Sequence, residues 1–169
     1  MVEITAGLVK ELREKSGAGM MDCKIALTEN DGNIDLSIDW LRAKGITKAA
    51  KKSDRIASEG LIGSLIKNGS AAMIELNSET DFVASNENFI QLGKTIAQTV
   101  ADNDVTSVED VKELTIGESK VSELISDAVL QLGENINLGQ FKRLSTEGAF
   151  SDYEHTNGKI GVLVEFTNT

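Results

Sequence analysis

The 169 residues include one cysteine and one histidine. A lone cysteine excludes an internal disulfide, and one residue of each kind excludes a zinc site built from Cys and His. Aromatic residues make up 4% of the composition, so a core has to come chiefly from Ile, Leu, Val and Ala. No apolar stretch approaches the roughly 20 residues of a membrane-spanning helix. The opening "MVEITAGLVKELREKSG" introduces charge at Glu3 and has no long apolar segment of the secretory kind. A cytoplasmic protein with no membrane partner is expected.

An excess of basic charge is also missing. Residues 1–59 hold ten Lys/Arg and ten Asp/Glu, while residues 60–169 hold seven and seventeen, which accounts for the net charge of −10. Nucleic-acid binding normally needs a basic surface to replace phosphate counterions. The nearest approach is "KAAKKSDR" at 48–55, largely offset by Asp35, Asp39, Asp54 and Glu59. An acidic body fits a protein partner better than direct contact with nucleic acid.

What is present divides by period. Thr5 is a good N-cap, with Leu8, Val9 and Leu12 at helical spacing before Gly17. A second helix from Met20 or Met21 carries Cys23, Ala26 and Leu27 on one side and stops at Gly32. A third, from about Asp35, turns Ile38 and Leu41 inward, with Trp40 nearby and Gly45 at its end. On that apolar face Cys23 reads as a small hydrophobe. Residues 46–59 read as a linker or short helix.

From Gly60 the period changes to two. "GLIGSLI" and "AAMIELN" flank Asn68-Gly69, a pair suited to a type I′ hairpin turn. A helix capped by Ser85 follows, with Phe89, Leu92, Ile96 and Val100 on one face. "VTSVEDVKEL" offers a short helical turn. A helix over 119–132 sets Val121, Leu124, Ala128 and Leu132 in register before Gly133. "INLGQFKRLS", "GAFSDYEH" and "IGVLVEFT" read as strands, the last two joined through "TNGK". The expectation is an α+β fold: a three-helix unit over 1–45, then a core over 60–169 of antiparallel strands packed with helices. The end at Thr169, directly after an apolar strand, suggests either an edge strand or a core incomplete at its C-terminal side.

Catalytic chemistry is poorly represented. His155, the single imidazole, sits in polar "DYEHTNG", and an Asp81–His155 dyad needs folding to join two distant segments. "SGAGMMD" at 16–22 lacks the G-x-x-x-x-G-K-[ST] spacing and a preceding strand, so it is not a phosphate loop. Adjacent helical residues diverge by about 100°, so Met20 and Met21 cannot both point squarely into one core. Either they fill the small core with the interhelix turn, or one of them presents an apolar surface to a partner. In "NSETDFVASNENF", Phe82 either folds back as a staple on the next helix or projects as a finger beside Asp81. No enzyme is expected, and no cofactor.

Three segments, "LVKELREKSGAGMMDCKIAL" at 8–27, "TDFVASNENF" at 80–89 and "YEHTNGKIGVLVEF" at 153–166, together resemble the bacterial elongation factor Ts family over essentially the whole chain. The resemblance implies a UBA-like N-terminal domain docking on the GTPase elongation factor Tu, with contacts at Leu12, Arg13, Met20 and Met21. It implies that Thr80, Asp81, Phe82 and Val83 displace the partner's Mg2+ to promote GDP release, and that His155 meets the partner's third domain. Members usually continue well past this length, so the alternative is a binding module that docks without efficient exchange.

Overall fold

The computed structural model describes residues 3–167; the outermost residues of the expected 1–45 and 60–169 units, 1–2 and 168–169, lie outside it. Three helices come first: α1 (Ala6–Ser16), α2 (Met20–Glu29) and α3 (Ile34–Lys52). Thr5 accepts the Leu8 N–H at 3.3 Å, and α1 ends at Gly17. Leu12, Ala18, Cys23, Ala26, Leu27 and Leu41 form a small core that also takes in Leu130 from a much later helix. Cys23 is buried there.

Helix α3 does not end at Gly45. It runs unbroken to Lys52, with Gly45 buried in its interior. A side chain at this position would meet the Ser126 carbonyl oxygen at 3.1 Å. The glycine is therefore a point of close approach between two helices, which single-helix patterning cannot distinguish from a terminator.

The α+β expectation is met. Strands β1 (Glu59–Lys67) and β2 (Ser70–Ser78) pair in register from Glu59–Ser78 to Lys67–Ser70. Asn68 and Gly69 both have positive φ, 47° and 77°, as a type I′ turn requires. Four further helices follow: α4 (Asp81–Ala84), α5 (Glu87–Asp102), α6 (Val108–Glu113) and α7 (Val121–Leu132). A minimal hairpin, β3 (Thr115–Ile116) with β4 (Ser119–Lys120), precedes α7; its two-residue strands left no periodic signal. β5 (Asn137–Ser145) then pairs antiparallel with β2, giving the order β1-β2-β5.

α5 packs on this sheet, and α7 joins the same core beside it. Phe89, Ile96, Val100, Val121 and Val129 meet Leu61, Ile74, Leu76 and Leu138 in the larger core. Two local expectations need correction. Asn86, not Ser85, caps α5, accepting the Asn88 N–H at 2.9 Å; Ser85 instead closes the preceding short helix. On α7 the buried residues are Val121, Ile125, Val129 and Leu130, with Leu124, Ala128 and Leu132 at the margin. The helix packs against α3 and also meets α5 and α6, so its apolar arc is wider than one stripe.

β6 (Ala149–Glu154) and β7 (Gly161–Phe166) form a separate two-stranded hairpin. It leans on β1 through the Ile62 N–H to Gly158 carbonyl bond (2.7 Å) and the Ser64 hydroxyl to Asp152 (2.7 Å). No described helix is long and apolar enough to cross a membrane.

Candidate functional site

The corner between β2 and α5 is built by four residues in distinct roles. Thr80 is the N-cap of α4, its Oγ1 accepting the Val83 N–H at 3.4 Å. Val83 is buried and roots the helix in the core. Asp81 is exposed, and Phe82 is 85% exposed. The staple reading of Phe82 is therefore excluded: the ring stands in solvent.

The backbone beneath that ring is tied down. Ala84 N–H donates to Thr80 O (3.2 Å), Ser85 N–H to Asp81 O (3.0 Å) and Asn86 N–H to Val83 O (3.0 Å). The Ser85 hydroxyl donates to Asp81 O at 2.9 Å. An exposed ring on a corner braced by these bonds can make a contact at little further entropic cost.

From the far side of the domain, Glu134 accepts the N–H groups of Glu79 (3.1 Å) and Thr80 (3.0 Å) and the Thr80 hydroxyl (2.6 Å). In return Glu79 accepts the Asn135 N–H at 2.7 Å. That N–H, with the Arg55 guanidinium, holds the Glu79 carboxyl below the usual range. Sequence reasoning missed Glu134. Its only local signal is an acidic residue directly after the terminating Gly133, which does not name a partner 54 positions away.

Asp81 also lines a cleft of about 470 Å³ between α4 and the β6–β7 turn, with Lys94, Glu154 and Lys159 on its walls. Glu59, hydrogen-bonded to the Lys159 ammonium, raises its pKa, and Asp81 adds to the effect. His155 lies in the same turn, exposed, its Nδ1 2.9 Å from the Tyr153 hydroxyl. No hydrogen bond joins it to Asp81, and among the described residues no cluster of His, Cys, Asp or Glu could hold a metal ion.

The second set of residues lies on the helical unit. Met20 and Met21 are 60% and 68% exposed, so neither fills the core. Ile25, one turn beyond Met21, is exposed as well and extends the apolar strip; its i,i+4 spacing from Met21 could have revealed it. Arg13 is exposed on α1, whereas Leu12 is 0% exposed and offers no surface of its own. Asp22 receives Lys44 at 2.7 Å and Lys48 at 3.0 Å, pinning α2 to α3 behind the methionines. Burial pushes the Asp22 carboxyl up, but the two lysines outweigh it and leave it below its ordinary value.

A sequence model of the family described as "Elongation factor TS" matches residues 79–169, more than half of the chain. The "Elongation factor Ts" of Spiroplasma citri is 46% identical over 168 residues. That match takes in 98% of this chain and 57% of the relative, so the chain spans a little over half the relative's length.

Proposed function

The chain belongs to the elongation factor Ts family, and from that premise we propose that it is a guanine-nucleotide exchange factor. It binds elongation factor Tu carrying GDP, in the cytoplasm, and promotes GDP release by displacing the partner's Mg2+ and stabilising the nucleotide-free state. The observation that carries this reading is Phe82, a large apolar ring 85% exposed on a corner whose flanking backbone N–H groups are hydrogen-bonded.

On this reading the helical unit docks first. Met20 and Met21 supply adaptable apolar contact, Arg13 adds a charged rim, and Leu12 acts from beneath by fixing α1. His155 contacts a separate part of the partner. Phe82 then enters an apolar slot beside the partner's Mg2+ and phosphate-binding loop, with Asp81 hydrogen bonding at its mouth. Thr80 and Val83 do not insert; they cap and root the short helix that presents the ring.

Burying one phenylalanine is worth roughly 1.5–3 kcal/mol. Set wholly against nucleotide affinity, that corresponds to about one to two decades in release. Loss of Mg2+, which offsets phosphate charge, supplies the remainder. Coupling is reciprocal: the nucleotide weakens the factor's hold by the same free energy with which the factor weakens the nucleotide's. The protein then needs no acid, base or nucleophile, and acts as an exchange factor, not an enzyme.

The test is release of fluorescent GDP from elongation factor Tu with the purified chain. Phe82→Ala is expected to lower stimulated release by about tenfold or more, and an unchanged rate would remove Phe82 from the mechanism. Binding of the unaltered chain without faster release would select the docking-module reading instead.

A further inference from the structure

We propose that Glu134 is a positioning residue for Phe82, and that its carboxylate sets the direction in which the ring projects. The inference rests on the exchange reading above and concerns a residue outside all three segments that carry the family resemblance.

Glu134 accepts both backbone N–H groups immediately ahead of the Asp81–Phe82 pair, at 3.1 and 3.0 Å, through one oxygen. Its other oxygen takes the Thr80 hydroxyl proton at 2.6 Å. That donation turns the lone pairs of Thr80 Oγ1 toward the Val83 N–H, the one bond by which Oγ1 caps α4. One side chain therefore orients both the strand end and the first turn that carries Phe82. Glu79 locks the joint from the opposite side through Asn135.

The other end of this connection is equally specific. Glu134 directly follows the C-terminal residues of α7, where Leu130 enters the core of the helical unit and Gln131 donates to the Ser16 carbonyl at 3.0 Å. The Phe82 corner is thereby referenced to the helical unit that carries Met20 and Met21. A wedge that must arrive while those methionines are docked needs such a common reference.

The experiment measures stimulated release of fluorescent GDP against factor concentration, separating the maximal rate from the half-saturating concentration. Glu134→Ala is expected to lower the maximal rate by about five- to tenfold, as misplacement of a rigid contact does, with the half-saturating concentration within about twofold. Glu134→Gln is expected to stay within about twofold of the unaltered chain. Its amide oxygen can serve both N–H groups, while the Thr80 hydroxyl oxygen turns acceptor for the amide N–H and keeps its second lone pair for the Val83 N–H. In a Phe82→Ala background, Glu134→Ala is expected to cost nothing further.

A maximal rate unaffected by Glu134→Ala overturns the proposal, as does an undiminished loss in the Phe82→Ala background. Equal damage from the Gln variant also overturns it. Should Glu134→Ala fail to fold, Thr80→Val replaces it, with about a threefold drop expected and no change counting against. If the unaltered chain binds without accelerating release, the exchange reading falls and takes this inference with it; if Phe82→Ala is silent, the wedge role of Phe82 falls and this inference with it. If only the Glu134 variants are silent, this inference falls alone.

Discussion

Phe82 and Phe89 are seven positions apart, yet the first is 85% exposed and the second wholly buried. In one continuous helix, seven residues return to within about 20° of the same face, and both rings would enter the core together. They do not, because the helix breaks between them. α4 ends at Ala84, Ser85 closes it, and Asn86 starts α5 on a new axis. The break sorts two chemically identical side chains: one is buried in the domain core, and the other is left in solvent.

That contrast can be broken from either end. Phe89→Ala is expected to have the largest effect, about 3–5 kcal/mol of stability from lost burial and a residual cavity, measured by denaturant unfolding. Phe82→Ala should change stability by less than about 0.5 kcal/mol while taking most of the stimulated GDP release. Unfolding that tracked both substitutions equally would end the division of labour.

The break itself is the next target. Asn86→Ala removes the side-chain cap of α5, and about 1 kcal/mol of stability is expected to go with it. Because the cap belongs to the Phe89 side, the release rate at saturating factor should stay within about twofold while the thermal midpoint falls. A loss of release without a loss of stability would place Asn86 with Phe82 instead.

The smallest effect concerns acid. The folded-state pKa of Glu79 lies below its ordinary value of 4.5 because of the Asn135 N–H and Arg55. A depressed carboxyl contributes stability that is present above the ordinary value and lost as pH falls through the folded one. Glu79→Gln should therefore lower stability slightly across the neutral range and flatten the acid limb below pH 4.5, the difference from the unaltered chain closing as pH falls. Phe89→Ala removes no titrating group, and it should shift the profile without changing its slope.

Features closed within a few residues were readable in the chain. The Thr5 cap, the Asn68–Gly69 turn and the apolar stripe of α5 depend on neighbours no more than a few positions away, so local propensity and period suffice. The resemblance to the family was carried by such local segments too. Where side chains meet across long separations, the same letters were ambiguous. Gly45 looked like a helix end because nothing nearby shows that α7 passes against it. The α7 stripe was placed too narrowly because the helix packs against several elements at once, α3 foremost.

The candidate site divides in the same way. The residue types of Thr80–Val83, Met20 and Met21 were visible as an apolar motif without an evident core to enter. Their exposure depended on which faces the finished packing had already filled. Leu12, grouped with the methionines by resemblance, proved to be core, and Glu134, grouped with nothing, proved to hold the corner. Sequence alone determined most of the elements and the caps and turns closed within a few residues, because those energies are local. Tertiary structure alone decided which apolar groups were left over and which carboxylate reached them, because burial and hydrogen bonding depend on the whole set of neighbours that folding assembles.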